Sequence, residues 1–274
     1  MTGALGFARP GDETQLLALY LRCFPDGPAF WQWFFEKGPY RPGDTLVWRE
    51  GEQIVSSLQM LPVMLARGKA RFAAHYIYAA ATLPQYRGAG RMASLLTQAA
   101  EEGRARGQQY SILIVQEPGL LRFYEKNGYR SQVVWNALSL SREGLRAGET
   151  LRPAEERDIP ALGEIYEKAA QNAPHGARSR ENWLDNLGIY EKNAVVLEKQ
   201  GAVKAYCFAD PTGASEAAGE DAARLAGLLF PENAPVSTPR PGGAVLLCGS
   251  IRPLTESARV RLGDEPVYLD LMYN

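Results

Sequence analysis

The chain has 274 residues, a formal net charge of −1 and 46% apolar residues. That length holds one large or two ordinary domains, and that apolar share excludes wholesale disorder. The near-neutral charge argues against a nucleic-acid binder, and the separated Cys23, Cys207 and Cys248, with only His75 and His175 to add, exclude a knuckle-type or multi-histidine metal site.

The N-terminal MTGALGFARPGDETQ has no basic segment followed by an apolar one, and no apolar run approaches the roughly 18 residues of a membrane span. A cytoplasmic protein with reduced thiols, acting without a membrane, is the expectation. Leu16, Leu17, Leu19, Tyr20 and Cys23 recur at spacings of three and four, which predicts a helix over residues 12–24. Residues 29–40 read as a second, strongly aromatic helix that stops at Gly38-Pro39. Residues 44–65 read as two strands around Glu50-Gly51-Glu52, and residues 71–83 as a third. A helix follows from Arg91 to a stop at Gly107, with Met92, Leu95, Leu96, Ala99 and Ala100 on one stripe. Residues 110–115 form a short apolar strand of the kind buried on both faces. Residues 119–129 are a short helix ended by Asn127-Gly128, and residues 130–140 are another strand.

The pattern then starts again. Residues 7–24 match residues 151–169: an Arg-Pro pair, an acidic patch, a helix. In both halves an aromatic-bearing helix and a hairpin follow, turning at Gly51 or Gly201. The boundary falls in the polar stretch 142–151, giving domains 1–145 and 146–274. Residues 211–230 read as a turn and a helix, and GGAVLLCGSI and PVYLDLMYN as closing strands.

One stretch carries chemistry. Between the strand ending near Leu83 and the helix from Arg91 stands PQYRGAG, glycines at a helix mouth with arginines beside them. Bared backbone N–H groups there suit an anion, above all a phosphate. GAGRMA (residues 88–93) fits the dinucleotide fingerprint, but PQYR separates it from its strand and no doubly wound half follows. Taken with its spacer, the stretch from Gln85 to Gly90 reads Q-x-x-G-x-G, and RFYEKNGYR follows. Together they resemble the acyl-CoA-binding signature of the GCN5-related N-acetyltransferase (GNAT) superfamily, with matching element order over residues 7–140. The whole chain resembles a tandem member, an intact domain and then a degenerate one, like the front part of the enhanced intracellular survival acetyltransferases. It stops short of their third, sterol-carrier-like domain.

The resemblance implies an α/β fold: a mixed, mostly antiparallel sheet flanked by helices, duplicated in tandem. It implies acetyl-CoA as cosubstrate, no metal, and a primary amine of a small molecule or peptide as acceptor. Neither nucleic acid nor membrane is expected as a partner, and a homodimer is left open. By resemblance, Ala81, Thr82 and Leu83 would pair with the pantetheine arm, while Gln85, Tyr86, Arg87, Gly88, Ala89, Gly90 and Arg91 would cradle the pyrophosphate. Tyr124 would hold the cofactor and protonate the departing thiolate, a sensible donor with a phenol pKa near 10. Glu117 is the first choice of base and the C-terminal carboxylate of Asn274 the second, with His75 and water as alternatives. Alternation puts His75 on the strand face opposite Tyr76 and Tyr78. Those tyrosines, with Phe30, Trp31 and Phe34, are candidates for the acceptor site; ordinary helix packing is the other reading of the aromatic helix. A non-catalytic acyl-CoA-binding sensor is the rival function.

Overall fold

The chain opens on a strand that the sequence reading passes over, β1 (Ala4–Phe7), which pairs antiparallel with β2 (Thr45–Glu50) from Ala4↔Arg49 to Phe7↔Leu46. Between them lie α1 (Glu13–Cys23), burying Leu16, Leu19 and Tyr20, and α2 (Pro28–Glu36), burying Trp31 and Phe34. β2 turns at Gly51, whose φ of +61° suits a residue without a Cβ, into β3 (Gln53–Arg67). Then come β4 (Ala70–Thr82), α3 (Arg91–Ala105), β5 (Tyr110–Ile114), α4 (Leu121–Lys126) and β6 (Arg130–Ala137). These elements fall close to their expected places because their apolar periods are unambiguous: Leu95, Leu96, Ala99 and Ala100 of α3 are all fully buried.

The computed structural model describes residues 3–209, 215–231 and 234–270. Its second half holds β7 (Glu149–Pro153), α5 (Ile159–Ala170), β8 (His175–Ala177), α6 (Arg180–Tyr190), β9 (Ala194–Lys199) and β10 (Ala202–Phe208). It continues with β11 (Ser215–Gly219), α7 (Ala222–Leu229), β12 (Val236–Thr238), β13 (Val245–Pro253), α8 (Glu256–Leu262) and β14 (Val267–Tyr268). Two expectations are corrected. The helix read within residues 211–230 covers only α7, because Ser215–Gly219 is a strand. Alanine favours helix locally, but Ala217 and Ala218 are fully buried where β11 pairs with β10, and packing overrides propensity. Of the closing strand expected in PVYLDLMYN, Val267–Tyr268 is strand and residues 269–270 are not, while residues 271–274 lie outside the described residues; α8 lies where no element was read.

Two compact units emerge. The first comprises residues 1–63, 72–131 and 249–261; the second comprises 64–71, 132–248 and 262–274. They interleave along the sequence and do not follow a single cut at 145/146. In the first unit the strand order is β1-β2-β3-β4-β5-β13. β5 pairs parallel with β4 on one side, Ala74↔Tyr110 to Tyr76↔Ile112. On its other side it pairs antiparallel with β13, Gly249↔Ile114 to Pro253↔Tyr110. Thus the apolar β5 is central, and a strand from the far end of the chain closes its edge. Helix α3 and the sheet meet in a core of Leu46, Leu58, Met60, Ile77, Leu95, Leu96 and Leu113, which Tyr124 and Tyr129 complete.

The second unit repeats this plan. Its strands run β12-β11-β10-β9-β7, and β11 and β12 are parallel across α7, as β4 and β5 are across α3. Residues 132–137 of β6 join this unit, pairing with β12 and β14. Each unit is a mixed sheet flanked by helices.

The closure of β5 by β13 generates a test. A fragment of residues 1–145 lacks Gly249–Pro253 and leaves an apolar edge unpaired, a template for aggregation. We expect it to show no cooperative thermal transition in near-ultraviolet circular dichroism, unlike the full chain. A fragment that melts cooperatively and binds coenzyme A like the full chain would show that β13 is dispensable.

Candidate active site

Pairing between β4 and β5 ends at Tyr76↔Ile112. Three residues on, Ala79 takes a φ of +48°. That left-handed conformation costs a residue with a Cβ roughly 1–2 kcal/mol, and it kinks β4 as a bulge does. A cleft of about 680 Å³ opens between the separated strands. Ala80, Ala81 and Thr82 of β4 form one wall, with Cys23 and Phe24 at the end of α1. Gln116 and Glu117, just past β5, and Leu120, Phe123 and Tyr124 form the other. Tyr86, Arg87, Gly88, Gly90 and the first turn of α3 stand at its head.

The chemistry at the head of the cleft suits an anion. Gly88 and Gly90 have φ of +80° and +76°, and a Cβ on either would meet nothing within 4 Å. Their glycines therefore serve backbone conformation, and the space beside them is clear. The first bond into α3 is Ser94 N–H to the Gly90 carbonyl at 3.0 Å. The N–H groups of Arg91, Met92 and Ala93 have no intrahelical acceptor, and the helix dipole adds positive potential at the same point. The two arginines differ. Arg91 donates from Nε and Nη2 to Glu50 Oε1 at 2.9 and 2.6 Å, and from Nη1 to the Tyr86 carbonyl at 2.9 Å. Hydrogen bonds from Arg91 and then Trp48 hold the Glu50 carboxyl below its usual range. Arg91 thus braces the loop against β2. Arg87 is exposed, and its Nε donates to the Thr82 carbonyl at 3.0 Å.

The other cofactor candidates divide. Ala81 and Thr82 line the cleft, with Ser56 Oγ donating to the Ala81 carbonyl at 2.8 Å. Leu83 and Gln85 face a separate groove with Gln15 and Ile54, and Leu83 N–H donates to the Val55 carbonyl at 2.9 Å. Ala89 is exposed between the two glycines and does not line the cleft.

Tyr124 is 8% exposed, its ring 5.3 and 5.8 Å from those of Phe123 and Tyr129. Burial pushes its phenol up to about 12. No protein group among the described residues hydrogen-bonds its hydroxyl, and the residue lines the cleft. Glu117 is exposed on the cleft wall and pairs with no cation among the described residues. His75 lies elsewhere, fully buried under α3, with Nδ1 2.6 Å from Gln108 Oε1. Burial pulls its imidazolium down to about 4, so it is neutral near pH 7. A Cβ at Gly103 would come within 2.7 Å of this ring, which explains a glycine inside α3.

The aromatic candidates form one packed layer. Trp31 and Phe34 are buried, with Trp31 4.5 Å from the Tyr20 ring and Phe34 5.5 Å from the Tyr78 ring. Phe30 is half-buried with its ring 5.0 Å from Trp31, and Tyr76 is buried 6.0 Å from Tyr78. None of the five lines the cleft. Asn274 lies outside the described residues. Sequence reasoning missed Cys23, whose Sγ donates to the Thr82 carbonyl at 3.6 Å. Burial raises its thiol pKa, more than a hydrogen bond with Arg87 lowers it. A residue 59 positions from its partner leaves no local signal.

Replacing Gly88 or Gly90 by alanine should place a methyl in the clear space and weaken coenzyme A binding by about tenfold or more, the scale of one lost charge-assisted bond. Gly107→Ala is the control: its φ is +73° and its surroundings are equally open, but it lies past the far end of α3. Calorimetry should show equal losses of stability and a loss of affinity only at the loop. Equal affinity in all three folded variants would remove the anion site from this loop.

Among the described residues no group of three His, Cys, Asp or Glu side chains could hold a metal, and no helix is long and apolar enough to cross a membrane. The family model described as an acetyltransferase (GNAT) domain matches residues 7–131. No curated protein matches the sequence. Solved structures share the fold. A GCN5-related N-acetyltransferase from Kribbella flavida is 15% identical with a TM-score of 0.73, covering 94% of this chain and 73% of that one. A probable N-acyltransferase from Enterococcus faecalis is 13% identical with a TM-score of 0.69, covering 95% and 75%. Eis1 from Mycobacterium abscessus is 15% identical with a TM-score of 0.63, covering 92% and 74%. The cleft walls, from Cys23 to Tyr124, fall inside residues 7–131, the span that matches the GNAT acetyltransferase domain.

Proposed function

We propose that the chain moves an acetyl group from acetyl-CoA to a primary amine of a small molecule or peptide, by direct attack in a ternary complex. Residues 1–145 would carry the catalytic site and residues 146–274 a degenerate counterpart. The observation that carries this reading is Tyr124, a buried phenol that lines the cleft beginning at the glycine loop and whose hydroxyl has no hydrogen-bond partner among the described residues.

In this chemistry the amine nitrogen forms a bond to the thioester carbonyl carbon and the carbon–sulfur bond breaks. The amine loses a proton and the thiolate gains one. The α3 N–H groups and Arg87 would hold the pyrophosphate, Glu117 would take the amine proton, and Tyr124 would donate to the sulfur. The second unit supports a single cofactor per chain. Its β11–α7 connection is only Glu220 and Asp221, and the Asp221 carboxylate stands at that helix mouth, paired with Arg224 at 2.9 Å. A fixed carboxylate repels a phosphate there. Direct attack is favoured over an acyl-cysteine because the thiolate is the nucleophile and burial keeps Cys23 protonated.

Tyr124→Phe keeps the ring and removes the hydroxyl. Turnover should fall by about 10²–10⁴, the range for a lost general acid, while coenzyme A affinity changes little. A phenol pushed up to about 12 is protonated at all lower pH, so the wild-type rate should show no alkaline limb from Tyr124 through neutral and mildly alkaline pH. Release of free thiol across a panel of amines is the assay. Full turnover by the variant would make Tyr124 structural, and tight binding without turnover by the wild type would make the protein a sensor.

Cys23→Ser should keep most of the turnover, with initial-rate plots that intersect. An inactive serine variant, with parallel plots in the wild type, would replace direct attack by an acyl-enzyme route.

A further inference from the structure

The first unit contains a second cavity, of about 390 Å³, at the end of α3 remote from the glycine loop. Arg104 reaches it from α3, Arg130 from the start of β6, Arg252 from the end of β13 and Arg259 from α8; Glu256 is the lone carboxylate. Arg104, Arg252 and Arg259 bring three guanidinium groups to one cavity, where a counter-ion would offset their mutual repulsion. The buried arginines of the second unit are paired with carboxylates. Arg152 meets Asp158 and Glu198, Arg224 meets Glu149 and Asp221, and Arg178 meets Glu216. Among the described residues no carboxylate pairs with Arg104, Arg252 or Arg259.

Uncharged groups hold two of these three in place. Arg104 donates Nε to the Leu254 carbonyl at 2.8 Å, which leaves its Nη groups uncommitted. The Arg252 guanidinium lies 6.0 Å from the Tyr129 ring centroid. It also lies against Gly128, where a Cβ would stand 3.3 Å from its Nε. A glycine at φ +82° is what lets the arginine lie there. The Arg104 and Arg252 guanidiniums are thus oriented before any ligand arrives, and their planar forks match the oxygens of a phosphate.

We propose that this cavity binds the phosphate group of a small phosphorylated molecule, an oxyanion with two or more negative charges. A nucleic acid fits less well: the site is one small cluster on a chain of net charge −1. The site is separate from the cofactor cleft, which shares none of these residues.

The probe is pyrophosphate, titrated calorimetrically into the full chain at constant ionic strength with coenzyme A saturating, so that the glycine loop is occupied. One saturable event is expected. Arg252→Gln combined with Arg259→Gln should weaken it by about tenfold or more, with coenzyme A affinity unchanged. The exposed Arg240→Gln, in the second unit, should change neither. If the double variant fails to fold, Arg259→Gln alone should weaken pyrophosphate severalfold, since that side chain lies on the exposed face of α8. Absence of saturable binding, a response matched by chloride at the same ionic strength, or unchanged affinity in the folded variants would overturn the proposal. Arginine-dependent binding of an oligonucleotide, tighter than that of pyrophosphate, would replace the small ligand by a nucleic acid.

Discussion

The cleft depends on one constraint, the separation of β4 from β5 beyond Tyr76↔Ile112. Ordinary sheet physics opposes it, because buried backbone N–H and C=O groups normally find partners. Two features hold the strands apart. Ala79 keeps the left-handed backbone that turns β4 away, at the cost of local strain. On its other side, β5 is tied by five residue pairs to β13 and is not free to follow β4. The separated edges then present a ready surface for an extended, amide-bearing ligand to pair with, as an added strand would. The α3 mouth and α4 stand at either end of that surface, so an anion and a reacting group could be gripped by one molecule.

Charge is distributed in the two units by opposite rules. In the first, the carboxylate at the loop is consumed by Arg91, so an anion there would be left to backbone N–H groups and Arg87. Amides are well suited to this, since they cannot be neutralised by a neighbouring acid. In the second unit the acids go inward. Glu216 accepts from Arg178 at 2.6 and 2.8 Å and from the Tyr206 and Tyr268 hydroxyls at 2.7 Å each. Burial, and then the neighbouring Glu216, push Asp270 up to about 6, while Ser237 donates to it at 2.9 Å. Such a network adds little net stability against an apolar core of the same shape, but it leaves few alternative packings. The second unit shares the sheet order and crossover helix of the first and carries paired side-chain charges in its interior.

What the sequence shows is what lies close together along it. The α3 stripe, the glycine pair and the Tyr-bearing α4 were legible because each is complete within about fifteen residues, the span over which helical periodicity can be read. β1 was not, since four residues are too few to display alternation. The partner of Arg91 was not, since Glu50 is 41 positions away. The strand that closes β5 was read as a strand but gave no sign of its neighbour, because an apolar run in an interior strand carries no address. The aromatic helix was ambiguous for a different reason. Trp31 and Phe34 would look the same in sequence lining a pocket or packed on Tyr20 and Tyr78, and only the geometry selects packing.

The environment of Tyr124 bears on how the proposed chemistry could work at all. A phenol at about 12 facing a free thiol of pKa near 8.5 is a poor proton donor, some three and a half units uphill. The comparison changes inside the cleft. Cys23 lines the same walls, and burial raises its thiol despite the nearby Arg87. A departing sulfur enclosed there would be desolvated in the same way, and its basicity would climb toward that of the phenol. The gap narrows because one cause acts on both groups. As negative charge grows on the sulfur, a hydrogen bond from the phenol strengthens most where water is excluded. Burial of Tyr124 is therefore compatible with a donor role, provided the sulfur is as well enclosed as the ring.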